Sequence, residues 1–252
     1  MMMGNHELVT IRRKLALVEE EIWNAGMGYQ GTILTGSRAE GAFMKGSDSD
    51  RMTIDKRVVV ICPHDDSSIT PDITNKTVFV MRDANSRPGY VNLELIKRGR
   101  ICSKFMIQSV VPVGDLHFIS SEMYRRSVTE SLSDKFKIKM DVNGQLISWL
   151  TPKVGYDTDF VHAFICNSWP KEADEWVNRP RLHGWPDKGL IDQKIQCGCY
   201  LVPVGDKTSP DTFLQWRISF VTAERNLIHS FCHVQFLVYC LFKYLKNRYL
   251  PG

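Results

Sequence analysis

Three features of the sequence predict an α/β (α+β) fold built on a mixed sheet. Short β-branched runs bounded by turn residues recur between Thr32 and Phe220. Helix-periodic segments lie at both ends of the chain. The 252 residues are 43% hydrophobic and include 6 Trp and 12 Phe, enough to build a core without disulfides.

Residues 8–23 form an amphipathic helix by pattern. Leu8, Ile11, Leu15, Val18 and Ile22 share one face, and Arg12, Arg13, Glu19 and Glu20 lie off it. Residues 32–35 are a buried strand ended by Gly36-Ser37, and one or two helical turns are expected between Arg38 and Met44. The chain is extended from Asp50 through Met52 and Ile54, and again over Val58 to Ile61. Residues 63–76 are turn-rich. Thr77 to Met81 and Tyr90 to Ile96 are strands or short helices, and Phe105 to Val113 is weakly extended.

Met123 to Lys139 reads as a polar helix. Leu146 to Leu150 and Tyr156 to Ile165 read as strands, followed by a Trp- and Pro-rich irregular connector from Trp169 to Pro186. Tyr200 to Val204 and Trp216 to Phe220 are extended. Residues 223–248 read as one long helix, apolar on nearly every side from Phe231 to Leu245. His229, His233 and Gln235 interrupt its apolar run, which is too short for a membrane span, so a buried core helix is expected. Such a helix needs partners on several sides, and little sequence follows it. A fragment or shortened isoform is therefore expected.

Charged residues at 24% exclude a disordered chain. The net charge of +4 is compatible with a nucleotide or nucleic-acid partner. The basic clusters, at Arg12-Arg13-Lys14, Lys97-Arg98-Gly99-Arg100, Arg125-Arg126 and Lys135 to Lys139, read as solvated faces. The 7 cysteines are irregularly spaced and no secretory signal opens the sequence. Free thiols in a cytoplasmic, reducing compartment are expected. Cys197-Gly-Cys199 and Cys232-His233 lack the spacing of common zinc sites.

The chemistry-bearing signal is Gly36-Ser37-x-x-Glu40-Gly41 followed by Asp48-Ser-Asp50-Arg-Met52. A Gly-Ser turn between strand and helix directs backbone N–H groups and a hydroxyl at one point, which suits phosphate oxygens. Asp48 and Asp50 are two apart on an extended segment, so both carboxylates leave the same face. Adjacent carboxylates repel unless a cation lies between them, which makes them ligands for Mg²⁺ or Mn²⁺. A two-metal site needs a third carboxylate from a neighbouring strand. Asp159 fits, and Asp157 on the same face is the alternative. An Asp-x-Asp pair also occurs in glycosyltransferases, which the missing secretory signal disfavours. In Asp-x-Asp phosphatases an apolar strand precedes the first Asp, whereas Lys45-Gly-Ser47 stands here.

Over residues 30–250 the sequence resembles the Mab-21-like nucleotidyltransferases, the family of cyclic GMP–AMP synthase and the cGAS-like receptors. The resemblance rests on Gly36-Ser37-x-x-Glu40, Asp48-x-Asp50-x-Met52, and Asp159 followed by Ser168-Trp169-Pro170. It continues through Tyr200-Leu-Val-Pro203, Trp216-Arg-Ile-Ser-Phe220-x-x-x-Glu224 and Phe242-Lys243-Tyr244-Leu245, in the family's order. It implies a polymerase-β-like catalytic lobe, here residues 1–205, and a helical lobe beginning at 206–252. It implies a cyclic dinucleotide made from ATP and/or GTP once a ligand such as double-stranded RNA binds. By position, Gly36 and Ser37 would contact donor phosphates, and Asp48, Asp50 and Asp159 would hold the metals. Arg217 and Ser219 would reach the nucleotide, and Lys243 the triphosphate.

The sequence departs from the family in three places. Val221 stands where active relatives often have Ser. The zinc insertion of vertebrate cyclic GMP–AMP synthase is missing after Glu224, which counts against DNA as ligand. A final Ser-Tyr-His block is absent. The rival reading is a catalytically silent Mab-21-like protein that acts as a nucleotide- or nucleic-acid-binding module.

Overall fold

The computed structural model describes residues 5–26, 28, 30–42, 49–63, 72–136, 141–143, 146–150 and 157–249. In chain order the strands are β1 (Gln30–Leu34), β2 (Ser49–Asp55), β3 (Val58–Ile61), β4 (Thr77–Asp83), β5 (Tyr90–Lys97) and β6 (Val110–Val113). They continue as β7 (Leu116–Ile119), β8 (Asp141–Asn143), β9 (Leu146–Leu150), β10 (Asp157–Cys166), β11 (Cys199–Val202) and β12 (Trp216–Ser219). The helices are α1 (His6–Gly26), α2 (Gly36–Glu40), α3 (Lys104–Gln108), α4 (Ser121–Phe136), α5 (Asp174–Asn178), α6 (Lys188–Ile195), α7 (Val221–His229) and α8 (His233–Tyr249).

The sheet is mixed, as the sequence predicts. Its main path runs β1-β2-β10-β11-β12-β5-β4-β3, with β2/β10 and β3/β4 parallel and the other neighbours antiparallel. Strand β10 is the hinge of this path. Its first residues pair with β2 and β9, and Phe164 to Cys166 pair with β11. A ten-residue strand is long enough to serve both halves.

Alternation along β10 and β12 divides two cores. Phe164, Phe79, Tyr124 and Trp216 form an aromatic cluster, with Phe164 and Trp216 centroids 4.8 Å apart. On the other face, Met52, Ile54, Val161, Ala163, Tyr200 and Val202 pack together. This second layer underlies the candidate site.

Three sequence expectations change. Phe105 to Val113 is not extended throughout, because α3 occupies its first half and β6 only its end. The Ser109 hydroxyl donates to the Phe105 carbonyl at 2.7 Å and closes that helical turn. The Trp- and Pro-rich connector includes α5 and is followed by α6, whose first turn is capped by the Asp187 carboxylate accepting the Leu190 N–H at 2.8 Å. Residues 223–248 are two helices broken at Ser230 to Cys232. The Ser230 hydroxyl donates to the Leu227 carbonyl at 2.7 Å, and the Gln235 side chain accepts the Cys232 N–H at 2.9 Å to start α8.

The last helix is also not buried on all sides. Phe236 and Cys240 pack inward with Val9 and Ala42, but Val234, Phe242 and Tyr249 are exposed by 68%, 67% and 65%. Among the described residues no helix is long and apolar enough to cross a membrane.

Helix α1 turns its charged side to the body. Arg13 donates to the carbonyls of Glu40, Ile228 and His229 at 2.9, 3.2 and 3.3 Å. Glu20 accepts the Leu34 N–H at 2.9 Å, and Asn24 brackets the N–H and carbonyl of Thr32. These backbone groups lie at helix ends and on the edge strand β1, and all but the Ile228 carbonyl, which also accepts the Phe231 N–H, have no ladder or helix partner. Polar side chains satisfy them, so the apolar stripe of α1 faces solvent.

Candidate active site

The site begins where β1 ends. The Thr35 N–H donates to the Asp50 carbonyl at 2.9 Å, which joins the exit of β1 to the start of β2. Gly36 then adopts φ 65°, and a Cβ at that position would overlap the Asp50 carboxylate. Only glycine supplies both the left-handed turn and the space. The turn therefore exists to let Asp50 lie against the backbone that opens α2.

Asp159 lies directly opposite Asp50 across the parallel β2/β10 pair. Neighbouring strands are about 4.8 Å apart, and in-register residues share a face, so the two carboxylates stand side by side. Asp48 lies outside the described residues, as does the side chain of Asp157. The donor set is all oxygen, the geometry is an adjacent carboxylate pair, and the wall opposite is glycine. That set fits a hard divalent cation.

A cavity of about 260 Å³ opens over this point. Gly36 and Asp50 form one end, Met52, Val161 and Val202 the floor, and Arg217, Ser219, Glu224 and Arg225 the far wall. Of the candidate residues, the structure brings Gly36, Asp50, Arg217 and Ser219 to the cavity, with Asp159 beside Asp50. Ser37 is the second residue of α2, next to Gly36, but is not part of the lining. Lys243 is held one layer behind. Its ammonium lies 2.7 Å from the Glu40 carboxylate, which also accepts the Tyr239 hydroxyl at 2.9 Å. Glu40 is thus a bridge from α2 to α8 as well as a wall residue.

Glu40, Glu224 and Arg225 are site residues to which the spacing assigns no binding role. Glu224 meets solvent at the cavity mouth, yet desolvation by the surrounding wall raises its carboxyl above the usual range. The Glu40 charge adds to the rise, and Arg217 opposes it. Arg225 pairs with Glu20 at 2.7 Å and donates to the Leu34 carbonyl at 3.1 Å, which fixes α7 to α1 and β1. The signal for these positions is helical: Val221, Glu224 and Arg225 recur at i, i+3 and i+4 and share a face once α7 is known to start at Val221.

A larger cavity of about 510 Å³ lies beside Cys62, Arg82, Trp169 and Lys171 and shares no lining residue with the first. Chemistry rather than size selects the site, because Asp50, the in-register neighbour of Asp159, lines the smaller one. All seven cysteines are free thiols, and Cys62, Cys166 and Cys199 cluster in the core near the larger cavity.

The β2/β10 carboxylate pair thus stands beside the Gly36 turn at the mouth of α2. The model of the Mab-21 protein nucleotidyltransferase domain matches residues 73–230, more than half of the chain. The chain belongs to the Mab-21 family. The matched segment contains Asp159, Arg217 and Ser219, while Gly36, Ser37, Asp48 and Asp50 precede it and Lys243 follows it.

Gly36→Ala tests the turn. The left-handed conformation alone is expected to cost about 1–2 kcal/mol, and Asp50 must move as well. A lowered urea midpoint, with divalent-ion binding weakened more than stability, is the expected result.

Proposed function

We propose that the chain is a metal-dependent nucleotidyltransferase that joins ATP and/or GTP into a cyclic dinucleotide, a second messenger of innate immune signalling in the cytoplasm. A bound ligand such as double-stranded RNA switches it on. The observation that carries this reading is the Asp50–Asp159 pair, in register on adjacent parallel strands and facing the Gly36 turn.

Asp50 and Asp159, with Asp48, would hold two Mg²⁺ or Mn²⁺ ions, which lower the pKa of an attacking hydroxyl and stabilise charge on a transferring phosphoryl group. Backbone N–H groups at Gly36 and Ser37 then receive donor phosphate oxygens. Arg217 and Ser219, on β12, approach the nucleotide from the far wall. Arg217 and Arg225 offset Glu40 and Glu224 on that wall, so it carries no net negative charge to oppose an incoming polyanion. Lys243 reaches a triphosphate only by exchanging Glu40 for phosphate oxygens. The reading includes a polymerase-β-like lobe over residues 1–205 and a helical lobe over 206–252 that α7 and α8 begin.

The test is incubation with ATP, GTP and Mg²⁺ or Mn²⁺ in the presence of double-stranded RNA or DNA, with products separated by chromatography. Product that disappears in Asp50→Asn/Asp159→Asn is expected. Undiminished product from that variant sinks the metal assignment. Nucleotide or nucleic-acid binding without product under every ligand favours the silent binding module.

A further inference from the structure

The outward face of α1 repeats apolar residues at alternating three- and four-residue steps, through Leu8, Ile11, Leu15, Val18 and Ile22. Ile11, Leu15, Val18 and Ile22 are exposed by 52%, 62%, 50% and 69%. A 3-4 repeat is the seam of a two-stranded coiled coil, in which each apolar side chain inserts between residues of a facing helix. The inward face of the same helix is already committed through Val9, Arg13, Ala16 and Glu20.

The charges beside the seam fit a second copy of the same helix. Glu7, Lys14 and Glu21 flank one edge, and Arg12 and Glu19 the other. In a parallel, in-register pair, Glu7 of one copy faces Arg12 of the other, and Lys14 faces Glu19. Glu19 is already bound by Arg38 and Arg51, so the Glu7–Arg12 contacts carry most of the selectivity. The antiparallel register that also matches charges sets Lys14 against Glu21 and Arg12 against Glu19. It leaves Leu8 opposite Ala25 and shortens the seam.

Helix formation does not oppose pairing, because the body already holds α1 folded through Arg13, Glu20 and Asn24. The outward face of α8 has a comparable apolar row at Val234, Val238, Leu241 and Leu245. Nothing beside that row indicates its occupant.

We propose that a second copy of this chain covers α1, forming a homodimer through a parallel two-stranded coiled coil. This does not depend on the transferase reading. Sedimentation equilibrium on the 252-residue protein is expected to show a dimer. Leu15→Glu/Ile22→Glu is expected to give a monomer with unchanged circular dichroism and the thermal midpoint that the wild type shows when diluted below its dimer Kd, since both side chains face outward from the single chain. Glu7→Lys and Arg12→Glu are each expected to raise the dimer Kd about tenfold, and the two together to restore it to within about twofold. A monomeric wild type, or a dimer indifferent to Leu15→Glu/Ile22→Glu, overturns the proposal. So does an Arg12→Glu defect that Glu7→Lys does not repair, since that is the antiparallel result.

Discussion

Trp216→Ala is expected to destabilise the protein by about 3–5 kcal/mol, measured as a shift of the urea unfolding midpoint at unchanged slope. Trp216 has no solvent exposure and lies between Phe164 and Tyr124, with centroids 4.8 and 5.4 Å away. Removing the indole opens a cavity in the main aromatic cluster. It also removes the donor of a 2.8 Å hydrogen bond to the Ile119 carbonyl, leaving that acceptor in the core. Trp216→Phe separates the two losses. It keeps most of the packing and drops the hydrogen bond, so a cost of about 1–2 kcal/mol is expected. The position matters for the site because Trp216 anchors β12, the strand that presents Arg217 and Ser219. Nucleotide affinity should fall with Trp216→Ala even under conditions where the protein stays folded. Equal nucleotide affinity in the folded variant counts against β12 as a binding strand.

The sequence was most legible where backbone pattern and chemistry coincide. The β1 run, the Gly36 break and the extended segment from Asp50 carry local signals, and the structure places them as β1, α2 and β2. Alternation puts Asp159 and Asp157 on one face and leaves both open, and the parallel register sets Asp159 opposite Asp50. The register itself was not legible, because the residues between β2 and β10 give no local clue to which strands become neighbours.

Other features depended on tertiary partners. Lys243 looks like a cation free to approach phosphate, but Glu40 and Tyr239 surround its ammonium. Two distant segments had to meet for that pair to form. The break between α7 and α8 had local signs in Ser230 and Gln235, yet the continuous apolar run from Phe231 hid them. In α1 the periodicity gave the helix and its two faces but not which face packs. Backbone groups at Leu34, Glu40 and His229 that have no ladder or helix partner decide that, and no pattern within α1 reports them.

The same long strand that places Asp159 is expected to make stability fall as the solution is acidified. His162 alternates to the opposite face from Asp159 and Val161, is nearly buried, and sits opposite Thr53 of β2. Burial pushes its imidazole down from the usual value to about 4, only partly countered by the Asp55 carboxylate. Asp55 is itself held by Arg57 at 2.7 and 2.8 Å, so its field at His162 is shared with a cation. Between about pH 6.5 and about pH 4 the unfolded chain binds a proton at this position and the folded chain does not. Stability is therefore fully present above the unfolded pKa and is lost as pH falls through this window. The shift corresponds to ~3 kcal/mol when complete. Asp206, whose carboxyl Arg87 holds well below its usual range, loses its contribution at still lower pH and in the same direction. His162→Gln isolates the imidazole, since it preserves a polar side chain that does not titrate. Urea midpoints at about pH 7 and about pH 4.5 should differ strongly in the wild type and much less in the variant. Parallel pH profiles for the two proteins would show that His162 protonates equally in the folded and unfolded states.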